Sequence, residues 1–144
     1  MYKAARLFAV LGLVLACVLA TPAMASSPNS IVGSWTASVD TLGVTGLFTF
    51  NQDGTMTASA TNQSFSGSHG VWTKTGSRSY FVKQVSFVYS GGVATTIWES
   101  EFSFNIDSSG NAATTEIVVT IKQLDGTVVS TFSSPGSAER IQLD

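Results

Sequence analysis

Apolar and polar positions alternate with a period of two through most of the second half of the chain. Between Tyr80 and Tyr89, the residues Phe81, Val85, Phe87 and Tyr89 share one side, and Tyr80, Val82, Gln84, Ser86 and Val88 share the other. Between Val93 and Ile106, Trp98, Phe102, Phe104 and Ile106 fall together, opposite Ile97, Glu99, Glu101, Ser103 and Asn105. Between Thr115 and Leu124, Ile117, Val119 and Ile121 oppose Glu116, Val118, Thr120 and Lys122. Successive side chains of a strand point to opposite faces, so this alternation marks half-buried strands. No stretch carries the 3.6-residue repeat of an amphipathic helix.

The turn residues agree. Asp53-Gly54 and Asp125-Gly126 each separate two β-rich runs, and glycine accepts the positive φ of a tight hairpin turn. Ser90-Gly91-Gly92 and Asp107-Ser108-Ser109-Gly110-Asn111 form two further turn clusters. Together they predict strands near 31–39, 45–50, 55–60, 70–75, 79–89, 93–106, 113–124, 127–133 and 137–143. The segment Asn62 to Gly70 is the most loop-like. Eight or nine short strands make either a sandwich or a barrel. Closure removes exposed edges, and meander spacing with tight turns favours an up-and-down antiparallel β-barrel of 8–9 strands.

The first residues break this pattern. Lys3 and Arg6 precede an apolar run from Leu7 to Ala20, and Ala23-Met24-Ala25 places small residues where a signal peptidase cuts. Residues 1–25 are therefore expected to be a cleaved signal peptide, and residues 26–144 a single barrel domain, secreted or periplasmic. A membrane span needs about 20 apolar residues, and Thr21-Pro22 ends this run too early. Val14-Leu15-Ala16-Cys17 loosely resembles a lipoprotein processing box, but the apolar run continues past it. Without Cys17 the remaining chain holds no cysteine, so it has no disulfide to rely on.

The segment from Ser26 onward keeps five basic residues (Lys74, Arg78, Lys83, Lys122 and Arg140) and all nine acidic ones, a net charge of −4. A weakly acidic surface with no basic cluster argues against nucleic-acid binding, which depends on neutralising phosphates. It argues equally against a polybasic membrane patch.

Gly33-Ser34-Trp35 lies on the first expected strand of that domain, and Glu139-Arg140-Ile141 on the last. In a closed barrel those strands are neighbours, so the Arg140 guanidinium can stack on the Trp35 indole and close one end. With the run Phe48 to Thr55 and the segment His69-Gly70-Val71-Trp72-Thr73-Lys74-Thr75-Gly76, this pattern resembles the calycin superfamily, the lipocalins and their relatives, and in particular small bacterial lipocalin-like proteins. It is also similar to the barrels of allene oxide cyclase relatives. The resemblance implies a lipocalin-like barrel in which Gly33, Trp35 and Arg140 pack rather than catalyse.

Candidate chemistry is sparse. His69 is the single histidine and, with no cysteine beside it, cannot build an ordinary zinc site; no metal and no cofactor is expected. It is placed at a barrel mouth, as a possible acid or base. Lys83 interrupts the apolar series of Phe81, Val85, Phe87 and Tyr89, and is either a charge at the interior or rim or a snorkelling side chain. Tyr80 and Tyr89 are further polar handles. Glu99 and Glu101 share a face, but one opposite the aromatic side of their strand, so they point to solvent.

Three functions follow as expectations. The first is an exported barrel binding a small hydrophobic or aromatic ligand inside, against Phe81, Phe87, Trp98, Phe102 and Phe104, with Phe48 and Phe50 completing the apolar walls. The second is a cyclase or isomerase that shapes a small apolar substrate, with Lys83, His69, Tyr80 or Tyr89 as handles. The third is a surface interaction or inhibitor protein using the loop over 62–70.

Overall fold

The computed structural model describes residues 27–142. The signal peptide expected over 1–25 lies outside the described residues. Eight antiparallel strands follow one another in chain order: β1 (Gly33–Val39), β2 (Val44–Phe50), β3 (Thr55–Ala60), β4 (Ser68–Lys74), β5 (Ser79–Ser90), β6 (Val93–Ile106), β7 (Ala112–Gln123) and β8 (Val128–Arg140). Each pairs with its sequence neighbours, and β8 returns to β1 from Trp35↔Arg140 to Val39↔Gly136. The sheet is thus a closed up-and-down barrel, and among the described residues the only helical element is a single 3-10 turn at Asp40–Leu42.

The two strands expected over 127–133 and 137–143 are one strand, β8, which runs through Pro135. Arg140 donates its N–H to Asn111 on the β7 side, and Ile141 donates to Ser34 on the β1 side. Donors alternate along a strand, so counting back in twos puts the Pro135 nitrogen on the β1 side. There the ladder has already ended at Gly136, and a residue without an N–H breaks nothing.

A single bulge sets the phase of β5. The hairpin turn Gly91-Gly92 starts β5 and β6 in the register Ser90↔Val93 and Tyr89↔Ala94. Beyond it the register becomes Val88↔Thr96, leaving Thr95 without a cross-strand partner, its hydroxyl on the Val88 carbonyl at 3.1 Å. One extra residue turns every side chain of the partner strand to the opposite face. Tyr80, Val82, Gln84, Ser86 and Val88 therefore face inward, and Phe81, Lys83, Val85, Phe87 and Tyr89 face out.

The barrel is filled at one end. Trp35, Phe50, Met56, Tyr80, Phe104 and Ile106 are buried there, and Ile31 of the incoming segment is packed under them as a plug. The Trp35 ring meets Phe104 edge-on at 4.9 Å, and its N–H donates to the Ile31 carbonyl at 2.8 Å. The Tyr80 hydroxyl donates to the Asn29 carbonyl at 2.7 Å. Arg140 ties the plug down: its guanidinium lies 4.2 Å from the centre of the Trp35 ring and donates to the carbonyls of Ser30, Val32 and Gly110. Gly33, at φ +128°, leaves the space that the guanidinium fills; a β-carbon there would stand 2.9 Å from it.

Three turns are built on aspartate. Asp53 accepts from the Thr55 hydroxyl and N–H, Asp107 from Ser109 and Gly110, and Asp125 from the Thr127 N–H. These bonds hold the three carboxyls below their ordinary range, the Thr55 hydroxyl, the Ser109 hydroxyl and the Thr127 N–H being the leading cause in turn. A carboxyl whose folded pKa is depressed stabilises the fold above its unfolded value. That contribution is lost as pH falls through the folded value. The urea midpoint is therefore expected to decline below about pH 4. Replacing all three by asparagine should flatten that decline; an undiminished slope in the triple variant would contradict the assignment.

Candidate functional site

The two halves of the barrel differ in height. β8 continues over 128–135 beyond its last residue paired with β1, and β5 continues past Val85, its last residue paired with β4. The loop between β3 and β4 leans against this taller wall. Ser66 donates to the Phe87 carbonyl at 2.8 Å, Tyr89 donates to the Ser64 carbonyl at 2.7 Å, and Phe65 makes an isolated bridge to Val88. This docking carries the Phe65 ring over the barrel, where it meets Trp98 edge-on at 4.8 Å. Trp98 also packs edge-on against Phe132 at 5.9 Å, so three aromatic rings stand at the open end.

Beneath them the barrel is not filled. A cavity of about 90 Å³, partly open to solvent, lies between Phe48, Ala58, Trp98, Phe102, Ile117 and Val119, with Ala37, Val39, Leu42 and Val44 on the β1–β2 side. Small inward residues leave this space: Ala37 on β1, Gly46 on β2, Ala58 and Ala60 on β3, and Ser68 on β4. One side of it is polar. Gln84 and Ser100 are direct cross-strand partners, and Ser86 sits opposite Trp98 one step nearer the mouth. The Gln84 Oε1 is buried and has no hydrogen-bond partner among the described residues. No lining residue carries an ionisable group.

The expected ligand wall divides in three. Trp98 and Phe102 line the cavity. Phe104, 1% exposed, belongs with Phe50 to the filled end. Phe81 and Phe87, 41% and 42% exposed, stand on the outside of the barrel and do not line its interior. Their inversion is the work of the Thr95 bulge. Phe48 and Gln84, together with the serines, complete the wall; Gln84, Ser86 and Ser100 escaped a search for bulky apolar residues.

The expected polar handles lie elsewhere. Lys83 is on the outer wall, bonded to Glu101 at 2.7 Å, and that bond, with the charge of Glu101, raises its pKa. Glu99, also outside, bonds Lys122 at 2.7 Å, and that hydrogen bond lowers its pKa. His69 is exposed on the outer face of β4, between Thr57 and Val85, one residue after the cavity-lining Ser68 and pointing away from the cavity. Tyr89 is on the outer face, and Tyr80 is buried in the filled end against Trp72. Both glutamates face solvent. The structure thus brings none of Lys83, His69, Tyr80 and Tyr89 to the cavity.

The fold and site define an eight-stranded antiparallel barrel with one plugged end and one small, uncharged cavity at the other. Compared with protein-family models and with curated proteins, the chain matches none. Among the described residues no three histidine, cysteine, aspartate or glutamate side chains gather as a metal site would need, and no helix is long and apolar enough to cross a membrane.

Proposed function

We propose that this protein is an exported, calycin-like barrel that binds a small, neutral, largely apolar molecule at its open end. The observation that carries this reading is the cavity itself. A well-packed barrel of this size has interior side chains enough to fill it. Here the plugged half is filled, while the open half is lined by small residues beneath three aromatic rings. The guest is small: the enclosed space of about 90 Å³ is less than the roughly 150 Å³ of a cavity that holds benzene, so a short chain fits within it and a single ring fits by reaching into the open mouth. The guest is neutral, because burying a charge without a countercharge is costly. The guanidinium stacked on Trp35, and an N-terminus patterned as an export signal, support the kinship and the compartment. A cyclase on this scaffold would have to work by shape alone, since its expected acid–base groups are absent from the cavity.

Filling the space tests the reading. Ala37→Leu adds about 50–60 Å³ of hydrocarbon to a cavity of about 90 Å³. The variant is expected to melt no lower than the parent, because it occupies a void, and to lose binding of toluene followed by tryptophan fluorescence, Trp98 being the indole at the cavity. A variant that stays folded and binds toluene unchanged would remove the interior site.

A further inference from the structure

The polar side of the cavity has no explanation in the folding of the barrel. Gln84 faces inward on β5, beside Ser100 on β6, with Ser86 and Ser68 continuing the strip. Ser86 and Ser100 are buried. The Gln84 Oε1 is buried and accepts no hydrogen bond from the described residues. A bare acceptor costs free energy that an apolar side chain of the same shape would not. The β1–β2 wall across the barrel, with Val39, Val44 and Phe48, offers hydrocarbon alone. The cavity is therefore two-sided: one side for an apolar body, the other for a neutral hydrogen-bonding edge.

Resting on the binding reading above, we propose that the guest is a small neutral ring compound bearing a hydroxyl or N–H donor, and that Gln84 selects it by accepting that donor. The last torsion of a glutamine is broad, so the carboxamide can turn its oxygen from the wall into the cavity. The hydroxyls of Ser86 and Ser100 donate or accept, and so take up the lone pairs of the same group. The ring then lies against Phe48 and Phe102. An anionic guest is refused, because the lining holds no cation.

Phenol, toluene and benzoate are the matched probes, titrated by calorimetry into the protein and into Gln84→Met, which keeps the volume and removes the amide. Phenol is expected to bind the parent about tenfold more tightly than toluene, the size of one useful hydrogen bond. In Gln84→Met that preference should fall below about threefold with toluene affinity kept, and benzoate should bind neither. The variant should also melt no lower than the parent, since it loses a bare acceptor. Toluene binding the parent as tightly as phenol, or benzoate binding as tightly as phenol, overturns the selection by Gln84 and leaves the apolar site standing. An unchanged phenol preference in Gln84→Met does the same. A lowered melting point assigns the amide to folding and overturns the proposal. Failure of both phenol and toluene to bind the parent sinks the proposal together with the binding reading.

Discussion

Arg140→Ala is expected to lower the unfolding free energy by about 4 kcal/mol, a large part of the 5–15 kcal/mol that holds a domain of this size. The guanidinium does two things at once. It donates to three backbone carbonyls, those of Ser30, Val32 and Gly110, and it lies over the fully buried Trp35 ring, 4.2 Å from its centre. Charge-assisted bonds of this kind contribute about 1.5–3 kcal/mol each, and the stack about 0.5–2 kcal/mol. Water reaches the half-buried side chain and recovers part of what alanine loses. Burial lowers the arginine pKa, but a guanidinium stays charged across the whole range in which the protein folds. Thermal melting should fall by about 15 °C. Arg140→Lys should recover less than half of the loss, because an ammonium is a point donor without the planar fork. A loss below about 1 kcal/mol for alanine, the value of an ordinary exposed arginine, would mean that the plug is held by burial of Ile31 and Trp35 alone.

Gly70→Ala is expected to cost about 3 kcal/mol, although the change adds one carbon. Gly70 faces inward on β4, paired with Met56 of β3 on one side and Gln84 of β5 on the other. A β-carbon there would collide with the Lys83 carbonyl, and would stand 2.8 Å from the Met56 sulfur and 2.9 Å from the Gln84 α-carbon. The thioether can yield, but the two backbone atoms belong to the β4–β5 ladder and cannot. Gly91→Ala is the useful contrast: space there is open, and only the positive φ of 57° resists. Urea unfolding of both variants checks the comparison. A smaller loss for Gly70→Ala than for Gly91→Ala would show that the strands separate easily, and that the barrel around Gly70 is not packed as described.

Much of this architecture was legible in the chain because its strands are written in alternation. The bounds of β5, β6 and β7 follow from Phe81 to Tyr89, Trp98 to Ile106 and Ile117 to Ile121. The aspartate-glycine turns mark two of the hairpins. The order of the strands follows from turns too short to allow a crossover. What alternation alone does not fix is phase. Both faces of β5 carry large apolar residues, so the aromatic face with Phe81 and Phe87 reads as the inner one. In a hairpin without a bulge it would be, because Ser90↔Val93 continued evenly would set Phe87 on the side of Trp98. Thr95 adds one residue and reverses the strand. No composition signal distinguishes a threonine in a bulge from a threonine in a ladder.

The candidate site was less legible for a related reason. A search for a ligand wall looks for aromatics, whereas a cavity is made where aromatics stop. Ala37, Gly46, Ala58 and Ser100 define this one by what they leave empty. Trp98 and Phe102, expected as a ligand wall because they are large, line the cavity. Gln84 was passed over because it lies on the polar-looking face of β5, which is the inner face. The gap expected between 127–133 and 137–143 contains Pro135, which is harmless in β8, where the neighbouring ladder has stopped.

The outer wall supplies a fair competitor to the interior. Phe81, Val85, Phe87 and Tyr89 form an exposed apolar stripe, interrupted by the Lys83–Glu101 pair, and small apolar compounds could gather there instead. Backbone and methyl chemical-shift mapping of the protein titrated with toluene separates the two. The account predicts saturable shifts at Ala37, Ala58, Trp98, Phe102 and Val119, around the cavity, and none on the stripe. Shifts centred on Phe81, Val85 and Phe87, with the interior residues unmoved, would contradict it.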